Sequence, residues 1–149
     1  MKLCMIGTGY VGLVSGVCFS DLGNTVYCVD KDKDKINLLN KGNIPIYEPG
    51  LEEILKRNYK QKRLIFTSDL KKAVSNSDII FICVGTPTKK NNNSADLKYV
   101  FSVVNELKKI IARYKIIITK STVPVTTGDK IEKILSQLKK KKLIDVVSN

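Results

Sequence analysis

Three glycines near the amino terminus have the spacing of a phosphate-binding turn. Gly7, Gly9 and Gly12 form the pattern G-x-G-x-x-G between an apolar run, Lys2–Ile6, and a stretch that predicts a helix. In this pattern the first glycine makes a tight turn, the second lets a pyrophosphate approach the backbone, and the third lets helix and strand pack closely. The free N–H groups at the start of the helix then bind the phosphates. The alternative is a glycine-rich turn with no ligand.

An acidic residue follows at the distance expected for ribose recognition. Asp30 closes the second predicted strand, 18 residues after Gly12, where a carboxylate accepts hydrogen bonds from the adenosine ribose. A 2′-phosphate would be repelled there, so this position favours NAD over NADP, although Lys31, Lys33 and Lys35 weaken that repulsion. The alternative role of Asp30 is to cap the helix that follows, and this role is compatible with binding.

The histidine and cysteine content narrows the chemistry. The sequence has no histidine, which excludes a Ser-His-Asp triad, a His-ligated zinc and an imidazole base, and we predict no metal site. The cysteines lie in apolar stretches without a C-x-x-C pair, so we predict buried free thiols in a reducing compartment. They are Cys4, Cys18, Cys28 and Cys83.

The apolar stretch up to Phe19 has some features of a signal peptide. One form of this alternative is a lipoprotein signal peptide that ends at Cys18. Val17 precedes Cys18 where a small residue is needed, and Tyr10 interrupts the stretch together with the three glycines. No apolar run approaches the roughly 18 residues of a membrane helix. We therefore expect a cytoplasmic location and no membrane partner.

The charge of the chain is strongly basic, with 26 Lys and Arg against 14 Asp and Glu. Lysines number 23 and arginines only 3, whereas bidentate recognition of bases and phosphates favours arginine. We expect most lysines on solvated helix faces and no nucleic-acid partner; a basic nucleic-acid-binding domain is the weaker alternative. With 43% hydrophobic and 27% charged residues in 149, the composition is that of one globular domain.

Apolar runs alternate with amphipathic stretches along the whole chain. The predicted strands are Lys2–Ile6, Thr25–Asp30, Leu64–Thr67, Asp78–Val84, Lys115–Lys120 and Ile144–Ser148. The fourth and fifth runs do not alternate with polar residues, so both faces should be covered, as in a parallel sheet. Right-handed crossovers through helices then predict a single Rossmann-type, doubly wound α/β domain over 1–149, with strand order 3-2-1-4-5-6. Because the sequence ends directly after the sixth predicted strand, we expect this chain to be part of a longer protein.

Helical spacing predicts which side chains face the sheet. The first helix is predicted to pack through Val11, Val14, Cys18 and Leu22. Later helices are predicted to pack through Leu97, Val100, Phe101, Val104, Leu107 and Ile111, and, in one helix up to about Lys141, through Ile131, Ile134, Leu135 and Leu138. Shorter helices are expected at Asp32–Asn40, from Pro49 in a first turn, and at Asp69–Asn76. Lys89–Ser94 predicts a flexible loop.

Four segments together resemble the NAD-binding domain of the UDP-glucose/GDP-mannose dehydrogenase family, and within it the UDP-glucose 6-dehydrogenases. They are the glycine turn running into Leu13, Ile44–Leu51, Val84–Pro87 and Ser121–Val125. The resemblance covers essentially the whole chain. Relatives that oxidise GDP-mannose or UDP-N-acetylmannosamine share several of these features. The resemblance implies NAD as cofactor and a two-step oxidation of UDP-glucose to UDP-glucuronate.

The resemblance also implies roles for individual residues. Tyr10 and Val11 border the pyrophosphate, Asp30 and Lys35 the adenosine side, and Thr122 faces the nicotinamide and positions a catalytic water, which makes Thr122 the expected catalytic residue. The expected cofactor-binding residues are Gly7, Gly9, Tyr10, Val11, Gly12, Asp30, Lys35, Gly85, Thr86, Pro87, Ser121 and Thr122.

Ordinary structural roles stay open for several of these positions. Gly85–Pro87 is also typical of a strand-ending turn, and the hydroxyls of Ser121 and Thr122 are also typical helix caps. Glu48 suits a buried structural acid, a cap or a nucleotide contact. Thr126 stands where the family usually has glycine, and threonine serves about as well there if the position is a helix N-cap.

The resemblance implies that further catalytic groups, including the nucleophilic cysteine, come from residues beyond this sequence. We therefore expect this chain to bind NAD without turnover, and to contact a UDP-sugar substrate mainly through domains that it lacks. The resemblance implies a homodimer for the full-length protein and allows a monomer for this part. The alternative is a non-catalytic NAD-binding module.

Overall fold

The sheet has six strands, all running in the same direction. In this computed structural model, which describes residues 1–89 and 94–148, the strands are β1 (Lys2–Ile6), β2 (Thr25–Val29), β3 (Leu64–Thr67), β4 (Ile79–Ile82), β5 (Lys115–Thr119) and β6 (Ile144–Ser148). Their order is β3-β2-β1-β4-β5-β6, and each neighbouring pair is parallel. The predicted fold class and strand order are confirmed.

Helices connect these strands and cover both faces of the sheet. In the described part of the chain they are α1 (Tyr10–Asp21), α2 (Lys33–Asn40), α3 (Leu51–Lys60), α4 (Leu70–Ser75), α5 (Lys98–Ile110), α6 (Thr127–Ile134) and α7 (Ser136–Lys140). None of these is long and apolar enough to cross a membrane.

The core consists of two apolar clusters, one on each face. On one face α1, α2 and α3 pack on the sheet through residues such as Leu13, Leu39 and Leu55. On the other face α4 to α7 pack through residues such as Val104 and Ile131. This division is that of a doubly wound fold, and it explains why the central strands have almost no polar side chains.

The strand order reverses direction between β1 and β4. Ile6, the last residue of β1, lies beside Val29 of β2 on one side and Ile82 of β4 on the other. The loops after these three strands therefore leave from adjacent points at the carboxyl edge. In open α/β sheets this switch point is where ligands bind.

The apolar spacing of α1 does not identify its buried face. Val11 is 46% exposed, Leu22 is 77% exposed and Cys18 is also exposed, while Val14 is only partly buried. The predicted packing face of this helix is therefore wrong, and so is the prediction of a buried thiol at Cys18.

The buried face of α1 is made largely of small residues. Its buried residues are Gly12, Leu13, Gly16, Val17 and Ser20. A Cβ on Gly16 would lie 2.6 Å from the Sγ atom of Cys28 on β2, so the helix lies too close to the sheet for a larger side chain. Because prediction from hydrophobic spacing favours large apolar residues, it assigns the opposite face.

The start of α3 also differs from the prediction. Gly50, with φ of 77°, is the N-cap of this helix, and the N–H of Leu51 donates to the carbonyl of Glu48 over 3.1 Å. Pro49 and Gly50 are thus the central residues of a turn, in the order that a type II turn favours. Pro49 therefore precedes the helix, and its predicted place in the first turn is wrong.

The helix predicted up to about Lys141 is two helices, α6 and α7. The break falls at Leu135, where the N–H of Leu138 donates to the Leu135 carbonyl over 2.9 Å, a three-residue spacing that tightens the chain. Leu135 and Leu138 remain buried, as predicted. Thr126 is the N-cap of α6, but its side chain makes no capping hydrogen bond.

The predicted flexible loop Lys89–Ser94 falls mainly on residues 90–93, which lie outside the described residues. At its ends, the N–H of Lys89 donates to the carbonyl of Ser94 over 2.9 Å, and Thr88 forms an antiparallel bridge with Ala95.

Candidate functional site

The turn after β1 requires glycine at two of its three motif positions. Gly7 has φ of 103°, and a Cβ there would lie 2.9 Å from the carbonyl oxygen of Cys83. A Cβ on Gly12 would lie 1.9 Å from the carbonyl oxygen of Gly7. The turn thus holds the end of β1, the start of α1 and the end of β4 at distances that exclude side chains.

Gly9 has a different role, because its surroundings are open. Among the described residues no atom outside its own turn lies within 4 Å of the position of a Cβ, and its φ of −69° suits any residue. It is the N-cap of α1, without a side-chain cap and with no acidic residue in the first helical turn. Free N–H groups and the positive dipole end are therefore available to an anion. These residues fit the pyrophosphate of a dinucleotide.

A cleft of about 370 Å³ opens beside this turn, between the ends of β2 and β4 and helix α5. That volume lies within the range of small-molecule sites. Five of the predicted cofactor-binding residues line it: Gly7, Gly9, Asp30, Lys35 and Gly85.

Asp30 is the central charged group of the cleft. Its Oδ2 atom accepts hydrogen bonds from the N–H and the hydroxyl of Thr8, at 2.8 and 2.7 Å, and lies 3.3 Å from the Nζ atom of Lys35. Its Oδ1 atom accepts from the N–H of Asp32 at 3.1 Å. Burial raises the pKa of Asp30, but these donors and the lysine charge outweigh burial and hold the pKa below its ordinary value. The carboxylate is therefore ionised at neutral pH.

The N-cap of α2 is Asp32, not Asp30. The Oδ1 atom of Asp32 accepts a hydrogen bond from the N–H of Lys35 over 3.0 Å. Asp30 therefore has no capping role that would compete with a ligand.

An ion pair crosses the cleft at Lys31, the residue after Asp30. The Nζ atom of Lys31, in the loop after β2, lies 2.9 Å from a carboxylate oxygen of Glu106 on α5, and both residues line the cleft. The Lys31 side chain is 73% exposed, so the pair is screened by solvent and easily opened.

Hydrogen bonds from two side chains join the ends of β4 and β5, and the Ser121 hydroxyl lies within hydrogen-bond distance of a second carbonyl, that of Ile82, at 3.2 Å. The hydroxyl of Thr86 donates to the carbonyl of Thr122 over 2.9 Å, and that of Ser121 donates to the carbonyl of Val84 over 2.7 Å. Ser121 is buried, whereas Thr122 and Pro87 are exposed. The Ser121 hydroxyl thus bonds to the neighbouring strand end instead of capping the next helix.

Tyr10 and Val11 occupy the first turn of α1 and are both exposed. The hydroxyl of Tyr10 donates to the carboxylate of Glu48, and this hydrogen bond, together with the nearby negative charge, raises the pKa of Tyr10. Glu48 therefore links the loop before α3 to the glycine turn. This contact connects two of the four segments that carry the family resemblance.

The predicted site residues thus fall into two groups. Five line the cleft, and seven lie beside it, at the helix start or the strand ends. Contact with a cofactor stays a prediction for both groups. The seven beside the cleft are Tyr10, Val11, Gly12, Thr86, Pro87, Ser121 and Thr122.

The wall of the cleft opposite Asp30 was not predicted from the sequence. Tyr99, Ser102 and Glu106 project there from α5 at helical spacing, and Ser68 and Leu70 line the cleft after β3. The spacing of Tyr99, Ser102 and Glu106 is the one signal that could have identified this wall. The spacing alone does not show which strand end α5 covers, so it could not have placed these residues at the cleft.

Three cysteine thiols lie in the interior. Burial raises the pKa of Cys4 and of Cys28, and it raises that of Cys83, at the cleft, to about 12. A thiol in such surroundings is a poor nucleophile at neutral pH. In the described residues no group of three or more metal-ligating side chains is found.

Comparison with known proteins identifies the family. Residues 1–149 match the NAD binding domain of the UDP-glucose/GDP-mannose dehydrogenase family. The chain belongs to that family. The resemblance and the cofactor NAD are confirmed.

Named relatives agree. The UDP-glucose 6-dehydrogenase of Rhizobium meliloti (strain 1021) is 51% identical over 149 residues, which are 100% of this chain and 34% of that protein. The UDP-glucose 6-dehydrogenase TuaD of Bacillus subtilis (strain 168) is 48% identical over 149 residues, 99% of this chain and 32% of its own length. The chain therefore spans about a third of the length of these relatives.

Solved structures of the family have the same fold. The GDP-mannose dehydrogenase of Pseudomonas aeruginosa, solved as a ternary complex, superposes with a TM-score of 0.92 at 39% identity, covering 100% of this chain and 36% of that one. A UDP-glucose dehydrogenase from Pyrobaculum islandicum gives 0.91 at 36% identity, with 99% and 35% covered.

Proposed function

We propose that this chain is the cofactor-binding part of an NAD-dependent UDP-glucose 6-dehydrogenase. The observation that carries the proposal is the ionised Asp30 carboxylate in the cleft beside the open glycine turn. The substrate is supported by the relatives that are 51% and 48% identical, both named UDP-glucose 6-dehydrogenase. In the proposed reaction the C6 hydroxyl is oxidised to a carboxylate, with consumption of one water and reduction of two NAD.

Different residues of the chain bind different parts of the cofactor in this proposal. The backbone at Gly9 and the first N–H groups of α1 hold the pyrophosphate, Asp30 and Lys35 hold the adenosine ribose, and Thr86 and Thr122 lie toward the nicotinamide. When bound, NAD accepts a hydride from the carbon that is oxidised. The chain's own contribution is to bind and orient the cofactor.

We propose that residues outside these 149 complete the catalytic site and bind most of the sugar nucleotide, in a longer protein. Support comes from the share of the relatives that the chain spans, about a third. The sequence has no histidine, and Cys83, the thiol in the cleft, has a pKa of about 12. We also propose that the longer protein is cytoplasmic and forms a homodimer. The buried free thiols of this chain suit a reducing compartment. Sedimentation of the longer protein measures its oligomeric state.

Calorimetric titration of the chain tests the cofactor assignment. We expect NAD to bind more tightly than NADP, because a 2′-phosphate would meet the Asp30 carboxylate. Asp30→Ala should weaken NAD binding about tenfold, because hydrogen bonds to a charged group are lost. It should also reduce the preference for NAD over NADP. Equal affinity of the unsubstituted chain for NAD and NADP would contradict the role of Asp30.

Formation of NADH tests the substrate. The chain alone, with NAD and UDP-glucose, should produce none, whereas the longer protein should produce two NADH for each UDP-glucose. Faster reduction of NAD with GDP-mannose would instead favour the chemistry named for the Pseudomonas aeruginosa structure. Sustained turnover by the chain alone would show that the catalytic groups are already present.

A further inference from the structure

Thr8 lies between the first two glycines of the turn, and both of its donors contact one oxygen of Asp30. The backbone N–H and the hydroxyl lie 2.8 and 2.7 Å from the Oδ2 atom, although the two residues are 22 positions apart. Thr8 is 1% exposed and is not among the residues that line the cleft. It therefore acts on a ligand in the cleft only through Asp30.

The two oxygens of Asp30 differ in how much hydrogen-bonding capacity remains. A carboxylate oxygen has about two acceptor positions, and Oδ2 already receives both donors of Thr8 and faces Lys35 Nζ at 3.3 Å. Within the described residues Oδ1 accepts from the N–H of Asp32 alone. Oδ1 is thus the atom with capacity for a hydroxyl of the ribose.

We propose that Thr8 is a positioning residue for cofactor recognition, whose hydroxyl fixes the Asp30 carboxylate so that Oδ1 is presented to the adenosine ribose. This inference rests on the proposed role of Asp30 in binding NAD. Without the Thr8 hydroxyl, Oδ2 keeps only the Thr8 N–H and the Nζ atom of Lys35 as partners. The carboxylate is then held less firmly, and each additional orientation that it gains lowers the fraction ready to bind.

The charged groups around Asp30 come from three elements. Lys35 projects from α2, Lys31 follows β2, and Glu106 faces the cleft from α5. A substitution at Thr8 leaves all of them in place. A change in the titration of Asp30 then reports the loss of the Thr8 donor itself.

The test compares Thr8→Val with Thr8→Ser in NAD titrations of the chain. Valine keeps the shape and the backbone N–H but removes the hydroxyl, while serine keeps the hydroxyl. We expect Thr8→Val to weaken NAD binding about threefold, less than the loss in Asp30→Ala, because the carboxylate remains and only the fraction of it that is correctly oriented falls. Thr8→Ser should bind like the unsubstituted chain. If valine disturbs the fold, seen by circular dichroism, Thr8→Ala removes the hydroxyl with less bulk.

The pH profile separates positioning from a structural effect. Ionised Asp30 binds NAD more tightly than protonated Asp30, so affinity falls as the pH drops through the pKa of this residue. Loss of a donor to the carboxylate raises that pKa, so the fall should begin roughly one pH unit higher in Thr8→Val than in Thr8→Ser. A purely structural effect of the substitution would lower NAD affinity at every pH without changing the pH at which the affinity begins to fall.

An Asp30→Ala background provides the final control. If Thr8 acts through Asp30, Thr8→Val should cause no further loss of NAD affinity there. An unsubstituted chain that does not bind NAD would overturn the proposed function. A chain that binds NAD and is unaffected by Thr8→Val, in affinity and pH profile, would overturn this inference alone.

Discussion

The glycine turn and the β4–β5 edge lie side by side at the same end of the sheet but are constrained very differently. In the glycine turn (residues 7–12), a Cβ on Gly12 would overlap the backbone at 1.9 Å, and Thr8 is buried against Asp30. The β4–β5 edge (residues 83–87 and 120–125) is joined by the Thr86 and Ser121 hydrogen bonds, and Val125 is 99% exposed. The proposed adenosine side is thus fixed by the chain's own contacts, whereas the proposed nicotinamide side is open to further groups.

Substitution of Gly12 should have the largest effect, because the turn cannot accept a side chain. Gly12→Ala places a Cβ against the carbonyl of Gly7, so we expect a loss of roughly 3–5 kcal/mol in the free energy of unfolding, or failure to fold. Urea denaturation measures this loss.

Gly9→Val is the matched control in the same turn. It should leave the circular dichroism spectrum unchanged, because Gly9 faces open space, and it should abolish NAD binding by filling the position of the pyrophosphate. A Gly12→Ala variant as stable as the unsubstituted chain would show that α1 can move away from the turn.

Ser121→Ala should have an intermediate effect, on the β4–β5 edge. The substitution leaves the Val84 carbonyl without its hydroxyl donor, which we expect to cost about 1–3 kcal/mol of stability. Thr122→Ala, at the exposed neighbour, should stay within about 0.5 kcal/mol. Equal stability of the two variants would mean that the edge is as loosely held at Ser121 as at Thr122.

Glu106→Gln should have the smallest effect, at the ion pair that spans the cleft. Removal of the carboxylate frees Lys31 to meet a 2′-phosphate, and we expect NADP affinity to rise about two- to threefold, the scale of an exposed ion pair. Glu132→Gln is the control, since Glu132 pairs with Lys139 on α7, away from the cleft. The same rise in both variants would identify a general effect of net charge.

The sheet was predictable from the sequence because its strands are buried on both faces. A continuous apolar run such as Ile79–Ile82 is distinct from any amphipathic helix, and right-handed crossovers leave few ways to order six such strands. The glycine turn and Asp30 were predictable for a related reason. Their chemistry depends on spacing that is local in the sequence.

Packing partners and long-range contacts were not predictable in the same way. The face of α1 is set by close approach to Cys28, and nothing in the helical period distinguishes Gly16 as a contact. Thr8 and Asp30 are 22 residues apart and Lys31 and Glu106 are 75 apart. Such pairs follow from the three-dimensional path of the loops, which hydrophobic periodicity does not encode.

The cleft cannot form during synthesis before β4 has been made and has paired with β1. Ile6 pairs with Ile82, so at roughly 5–20 residues per second the ribosome needs about 4–15 seconds to supply the second strand after the first. Until then one edge of β1 is unpaired and available to other strands. NAD has no complete cleft to enter during that interval, so the cofactor stabilises the domain only after the second half has been made.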